Sequence, residues 1–202
     1  MTTAFEAARE AASTIDPHVA ARNCGFDYDG STAAGTFAAR YLNRAISLPF
    51  PSLDGRFADT GGAVPEPVVT LLSHYLVASD GTEPAGTWIS FADLPGGRVY
   101  CSAWRGYTGK ALVRRFGNDV DAVRAAAVRL GREALDLSSD LAIRLDVLPK
   151  VPVALLYWAG DEEFEPRADF LFDATASHHL PTDCCAVACG LVTRELVGEG
   201  PS

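Results

Sequence analysis

Residues 160–189, "GDEEFEPRADFLFDATASHHLPTDCCAVAC", bring two adjacent histidines, three cysteines and a run of carboxylates into thirty positions. His178 and His179 stand between a strand-like run ending at Asp173 and a helix that begins near Pro181. Junctions of this kind expose side chains and backbone N–H groups together, where ligands tend to sit. An imidazole there can ligate a metal, serve as axial ligand to a corrinoid or haem, or act as a general base near neutral pH. Neighbours in extended chain point to opposite sides, so one of the two is expected to face a given pocket. The bland account of either is a ring bonded to a loop carbonyl. His74, on a predicted helix, flanks an apolar stripe; core-edge packing competes with a two-histidine site shared with His178 or His179.

Carboxylates are the second group. Asp161, Glu162, Glu163 and Glu165 fall in a loop between two strands, and paired carboxylates can bind a divalent metal or share acid–base work. No EF-hand spacing is present, and a run of acids in a turn is usually solvated. Asp173 ends an apolar strand and is either a turn cap or a site residue. The metal candidates are therefore His178, His179, Asp173, Glu162 and Glu163. Cys185 and Cys189, four apart on a predicted helix, share a face and could grip a soft metal, although a buried face among Ala186, Val187 and Ala188 explains them as well. Trp88, Phe91, Trp104, Tyr107, Tyr157 and Trp158 could wall a flat pocket for a planar ligand, or form the core of a sheet.

The elements that must position these groups follow from periodicity. Phe5, Ala8, Ala12 and Ile15 have helical spacing, and Asp16-Pro17 open a second short helix that Gly25 ends. From Phe26 the period becomes two, with strand-like runs on either side of Asn43-Arg44 and a patternless connection over 51–67. "PVVTLLSHYLVAS" is the clearest helix. "TWISFADLPGGRVYCSAWRGY" reads as two extended segments joined around Pro95-Gly96-Gly97, and two glycine-ended helices follow. Cys24 and Cys101 fall on strand-like runs. "DLAIRLDV", "VALLYW" and "DFLFDA" are strands, and "PTDCCAVACGLVTRELV" closes as a helix. The expected fold is α+β: a single domain at 24–197, mostly antiparallel sheet packed by helices, with an N-terminal helical extension at 1–23 and a flexible tail at 198–202.

Composition bounds the function. The chain has 202 residues, 48% of them hydrophobic, enough to bury a core without disulfides. With 26 acids against 17 bases, the net charge of −9 argues against nucleic acid as a partner, since phosphate neutralisation needs a positive footprint. The absence of an apolar run of about 18 residues predicts no membrane span, and the acidic-leaning N-terminus resembles no secretory signal, so a cytoplasmic location with free thiols is expected. Nucleophile-elbow, P-loop, dinucleotide and zincin motifs do not occur.

Several segments carry a wording of their own: H-Y-L at 74–76, W-I-S-F at 88–91, L-P-G-G at 94–97, W-A-G-D-E-E-F at 158–164, L-F-D at 171–173 and L-P at 180–181. In these the chain resembles, over roughly residues 24–197, the family known as domain of unknown function 3786. That family has no settled activity. Some members look fused to an iron–sulfur module like those that serve corrinoid proteins in anaerobes, which implies low-potential redox, corrinoid or other tetrapyrrole metabolism. This chain departs from them in lacking the N-terminal cysteine cluster. Together, the resemblance and the histidine–aromatic setting lead to the expectation of a binding or accessory protein. Its ligand would be a corrinoid, haem, another planar cofactor or a divalent metal, held by His178, His179, His74, Trp88 and Trp158, and its partner a redox or corrinoid protein. Two alternatives stay open: a metal-dependent hydrolase or lyase using a carboxylate–histidine site, and an acidic protein-interaction module.

Overall fold

A computed structural model describes residues 4–198; the Phe5 side chain, and the expected tail beyond 198, lie outside the described residues. The chain opens with α1 (Ala4–Ala12) and α2 (Pro17–Cys24). Asp16 caps α2 by accepting from His18 N at 2.9 Å and Val19 N at 3.2 Å, and Gly25 ends it in the left-handed region, φ 68°. Strands β1 (Asp27–Gly30), β2 (Gly35–Tyr41), β3 (Arg44–Phe50) and β4 (Arg56–Phe57) form an antiparallel sheet in sequence order. The α3 helix (Glu66–Ala78) turns Val68, Leu71, Leu72, Tyr75 and Leu76 inward, and α1 and α2 pack on it.

The second sheet carries the candidate site. Its order is β5-β9-β8-β7-β6, all antiparallel: β5 (Trp88–Ser90), β6 (Arg132–Ala134), β7 (Leu141–Leu148), β8 (Val151–Trp158) and β9 (Arg167–Asp173). Residues 151–157 of β8 are buried without alternation, as expected of a central strand covered on both faces. Helices α4 (Gly97–Tyr107), α5 (Gly109–Phe116), α6 (Val120–Val128) and α7 (Thr182–Val197) pack among themselves and on this sheet. The two sheets meet at β2 and β7, where Leu42 N donates to Val147 O at 2.9 Å, and one continuous apolar core joins them. Among the described residues, no helix is long and apolar enough to cross a membrane.

One element differs in kind from the sequence reading. The stretch after Gly96-Gly97, expected to be extended, is the helix α4. Val99, Ala103 and Tyr107, and likewise Tyr100, Trp104 and Tyr107, repeat at three and four residues, a helical period that the paired glycines obscure. Gly96, at φ 73°, turns the chain into the helix, and Gly97 lets it start close beneath the preceding turn: a Cβ there would stand 1.9 Å from Phe91 O. Cys101 accordingly sits half-buried on α4, and Cys24 is the buried last residue of α2; neither is on a strand.

Candidate functional site

The β9 strand ends in a carboxylate that is wholly enclosed. Asp173 accepts from Ala85 N at 3.0 Å, Gly86 N at 2.7 Å, Thr175 N at 3.0 Å and Thr175 Oγ1 at 2.7 Å. Burial pushes its carboxyl up, but those donors outweigh it and hold it below the usual carboxylate range. Asp173 is thus a cap that ties the turn after β9 to the segment before β5. A short 3₁₀ turn, Ala176–His178, follows and aims the two histidines apart. His178 is half-exposed, its Nδ1 2.8 Å from Asp80 Oδ2 and 3.3 Å from Thr82 Oγ1. Its hydrogen bond, with lesser help from Thr82, holds the Asp80 carboxyl well below its ordinary range.

His179 is fully buried, with Nδ1 2.8 Å from Ser79 Oγ. The Ser79 hydroxyl has one proton, and it donates to Asn23 O at 3.0 Å. Which atom donates across the Nδ1–Oγ contact depends on the ring tautomer, and the backbone of Thr82 is a further hydrogen-bond partner of the imidazole. Burial pulls the His179 pKa down, so the ring stays neutral. Lys150 completes the anchoring: Nζ donates to Gly81 O and to Glu83 Oε1, both at 2.8 Å. Residues 79–87 are in this way strapped down by His178, His179, Lys150 and Asp173. No local pattern points to Lys150, Ser79 or Asn23, because their partners are more than fifty residues away.

Of the remaining expected site residues, Trp88 stands beside this turn, and Trp158, Glu162 and Glu163 lie toward the far end of β9. Trp88 faces Asp173 across β5 and β9, whereas Trp158 pairs with Arg167 at the other end of β9. Six residues of strand rise place those ends about 20 Å apart. Trp158 donates from Nε1 to Ser138 O at 3.1 Å and lies under the Arg167 guanidinium, 3.9 Å from the ring centroid. Glu162 and Glu163 are exposed in the loop beyond Trp158, remote from Asp173 and the histidines; Asp161 shapes that loop by accepting from Glu163 N and Phe164 N, both at 2.8 Å. His74 is half-buried on α3. Among the described residues, no three His, Cys, Asp or Glu side chains are grouped to hold a metal ion. Burial pushes the Cys184 thiol up to about 12 and raises Cys185 and Cys189 further, as befits an inert helix face.

What the fold does bring together is aromatic. Between α4 and the start of α7 lies a cavity of about 690 Å³. Its walls include Phe91, Tyr100, Trp104 and Tyr107 on one side and Leu180, Pro181 and Asp183 on the other. Phe91 and Trp104 stack at 4.5 Å between centroids with 16° between planes, and both lean on Phe172 of β9. Tyr100 and Tyr107, 62% and 48% exposed, rise from the same side of α4. Gly190 keeps α7 open for Tyr107: a Cβ there would stand 3.3 Å from Tyr107 Cε2. Trp104 is 1% exposed and its Nε1 has no partner among the described residues. Ser177, next to His178, also lines the cavity. Phe91, Trp104 and Tyr107 stood among the expected wall residues; Tyr100 was missed with the helix that carries it. A larger depression of about 860 Å³ lies on the outer face of the first sheet. Ala38, Ala45 and Ser47 are among its lining residues with Phe26, Tyr28 and Phe37, and Asp27, Asp29, Arg40 and Asp146 scatter both signs of charge around it.

Fold and cavity together define a small α+β protein with an aromatic, ligand-sized groove beside a strapped turn. The chain belongs to the family described as Domain of unknown function (DUF3786), which matches residues 16–195. No curated protein and no solved structure matches it.

Proposed function

We propose that the protein is a cytoplasmic binding or accessory protein that holds a flat ring-bearing ligand in the cavity between α4 and α7. A corrinoid or other tetrapyrrole cofactor is the class to try first, and a redox or corrinoid protein the partner it would serve. One observation carries the reading: a cavity of about 690 Å³, within the size range of small-molecule sites, walled by Phe91, Tyr100, Trp104 and Tyr107 beside the His178 turn. Stacking on those rings, rather than axial ligation, would supply the affinity, because His178 is engaged by Asp80 and His179 is enclosed. The test is anaerobic purification with an absorption spectrum and an elemental scan, followed by titration of the apo protein with cobalamin and haem. A stoichiometric chromophore, or a spectral shift lost in Tyr107→Ala, supports the reading. A colourless protein that shifts with neither compound refutes it.

The loop 159–166 supports a second reading. Phe164 is 68% exposed between Glu163 and Glu165, an apolar tip in a ring of carboxylates that suits docking to a basic partner surface. Such binding weakens with salt and is lost in Phe164→Ala; binding that ignores both changes would dismiss it.

A further inference from the structure

We infer that the part of the ring-bearing ligand seated between α4 and α7 is cationic: a positively charged heteroaromatic ring, or a ring that carries a quaternary ammonium. The inference rests on the reading of that cavity as the ligand site, and adds the charge of what enters it.

The walls set the sign. Among the described residues lining the cavity, Asp183 is the one charged side chain. Its Oδ1 accepts from the adjoining Cys184 N at 2.9 Å, and no cation pairs with it among the described residues. Opposite stand Tyr100 and Tyr107, two turns apart on α4, with Phe91 and Trp104 behind them. Aromatic faces are the negative pole of the ring quadrupole and attract a cation within about 6 Å of the centroid. A carboxylate facing aromatic side chains therefore offers a cation two favourable surfaces and an anion two unfavourable ones.

Basic groups nearby do not offset this. Arg98 and Arg105 each precede a wall tyrosine by two residues, which turns them about 200° around the helix from it. Arg105 is moreover engaged by Asp169 at 3.1 Å. The Thr182 hydroxyl is spent on Pro95 O at 2.8 Å. Nothing basic lines the cavity among the described residues; the start of α7 brings the positive end of a helix dipole, about half a charge, and the Asp183 carboxylate in its first turn more than offsets it.

The decisive experiment compares three phenyl probes on the full chain: phenyltrimethylammonium, its neutral isostere tert-butylbenzene, and benzoate as an anion. Binding is followed through the indole N–H signals in ¹⁵N-resolved spectra, with unfolding curves to confirm that variants fold. The cation should bind roughly tenfold more tightly than the neutral isostere, and benzoate most weakly. Asp183→Asn should lower the affinity for the cation several-fold and leave that for the isostere unchanged. Tyr100→Ala, at an exposed position, should weaken both. Equal binding of cation and isostere, with no effect of Asp183→Asn, would overturn the cationic preference and leave the cavity standing as a site for neutral rings. If no probe moves the Trp104 signal, the cavity reading falls and the cation with it. The same holds if the groove proves to be closed by a second copy of the chain.

Discussion

Asp173 and His179 show how a chemically suggestive side chain can be consumed by architecture. Four donors converge on the Asp173 carboxylate, and two of them, Ala85 N and Gly86 N, have no strand or helix to return to. Asp173→Ala should therefore destabilise the protein by roughly 3 kcal/mol in urea unfolding, the scale of stranding buried donors from a charged acceptor. A loss under about 1 kcal/mol would mean that water replaces the cap. His179 makes a pH prediction. Burial lowers its folded-state pKa, so the unfolded chain takes up a proton first, near the ordinary value of about 6.5. Stability is accordingly complete above about pH 6.5 and falls as the pH drops below it, with a limiting slope of about 1.4 kcal/mol per pH unit. Urea midpoints from pH 8 to 5 check this, and His179→Phe should flatten the slope in that window. The two histidines that stand out in the sequence were expected to diverge as neighbours in extended chain do, whereas the structure sets them at the end of a 3₁₀ turn, one on Asp80 and one on Ser79. Those partners were not legible in the sequence, because the contacts span about a hundred residues.

At the scale of elements, α4 decides whether the groove exists. Its only buried residues are Gly97 and Trp104, so it is held by one ring and two close backbone approaches, at Gly97 and at Gly109 just beyond it. A Cβ at Gly97 would meet Phe91 O at 1.9 Å, and one at Gly109 would meet Ala168 O at 2.1 Å, both against backbone. Gly97→Ala should displace α4 and abolish ligand binding. Gly106→Ala, with nothing within 4 Å of the new methyl, should instead stabilise the protein by about 0.5–1 kcal/mol and leave binding intact. Thermal unfolding and a binding curve on each variant separate the two; equal effects would contradict the geometry. Most elements were legible in the sequence because their pattern runs uninterrupted: the apolar run of β8, the strand-like runs of β7 and β9, and the stripe of α3 through Val68, Leu72 and Tyr75. The α4 helix was not, because Pro95-Gly96-Gly97 looks like a hairpin turn and the helix exposes Val99 and Tyr100 to solvent. A helix without a buried stripe gives the hydrophobic pattern little to report.

At the scale of the whole molecule, two antiparallel sheets share one core, and the chemistry-bearing groups divide between opposite ends of β9. The exposed Phe164 and its acids lie at one end, and the strapped turn and aromatic groove at the other. Five cysteines test that packing globally: Cys24, Cys184, Cys185 and Cys189 are buried, whereas Cys101 is half-exposed on α4. Alkylation of the native protein at neutral pH should label Cys101 first and reach the others only on unfolding, as mass spectrometry would read. Rapid labelling of Cys185 or Cys189 would show α7 loosely docked. The most direct test of the account follows the indole N–H signals of Trp88, Trp104 and Trp158 while cobalamin is titrated into the apo protein. A ligand seated between α4 and α7 should move the Trp104 signal and leave those of Trp88 and Trp158 in place. Movement of Trp88 or Trp158 with Trp104 unchanged would put the site elsewhere on the second sheet and contradict the account.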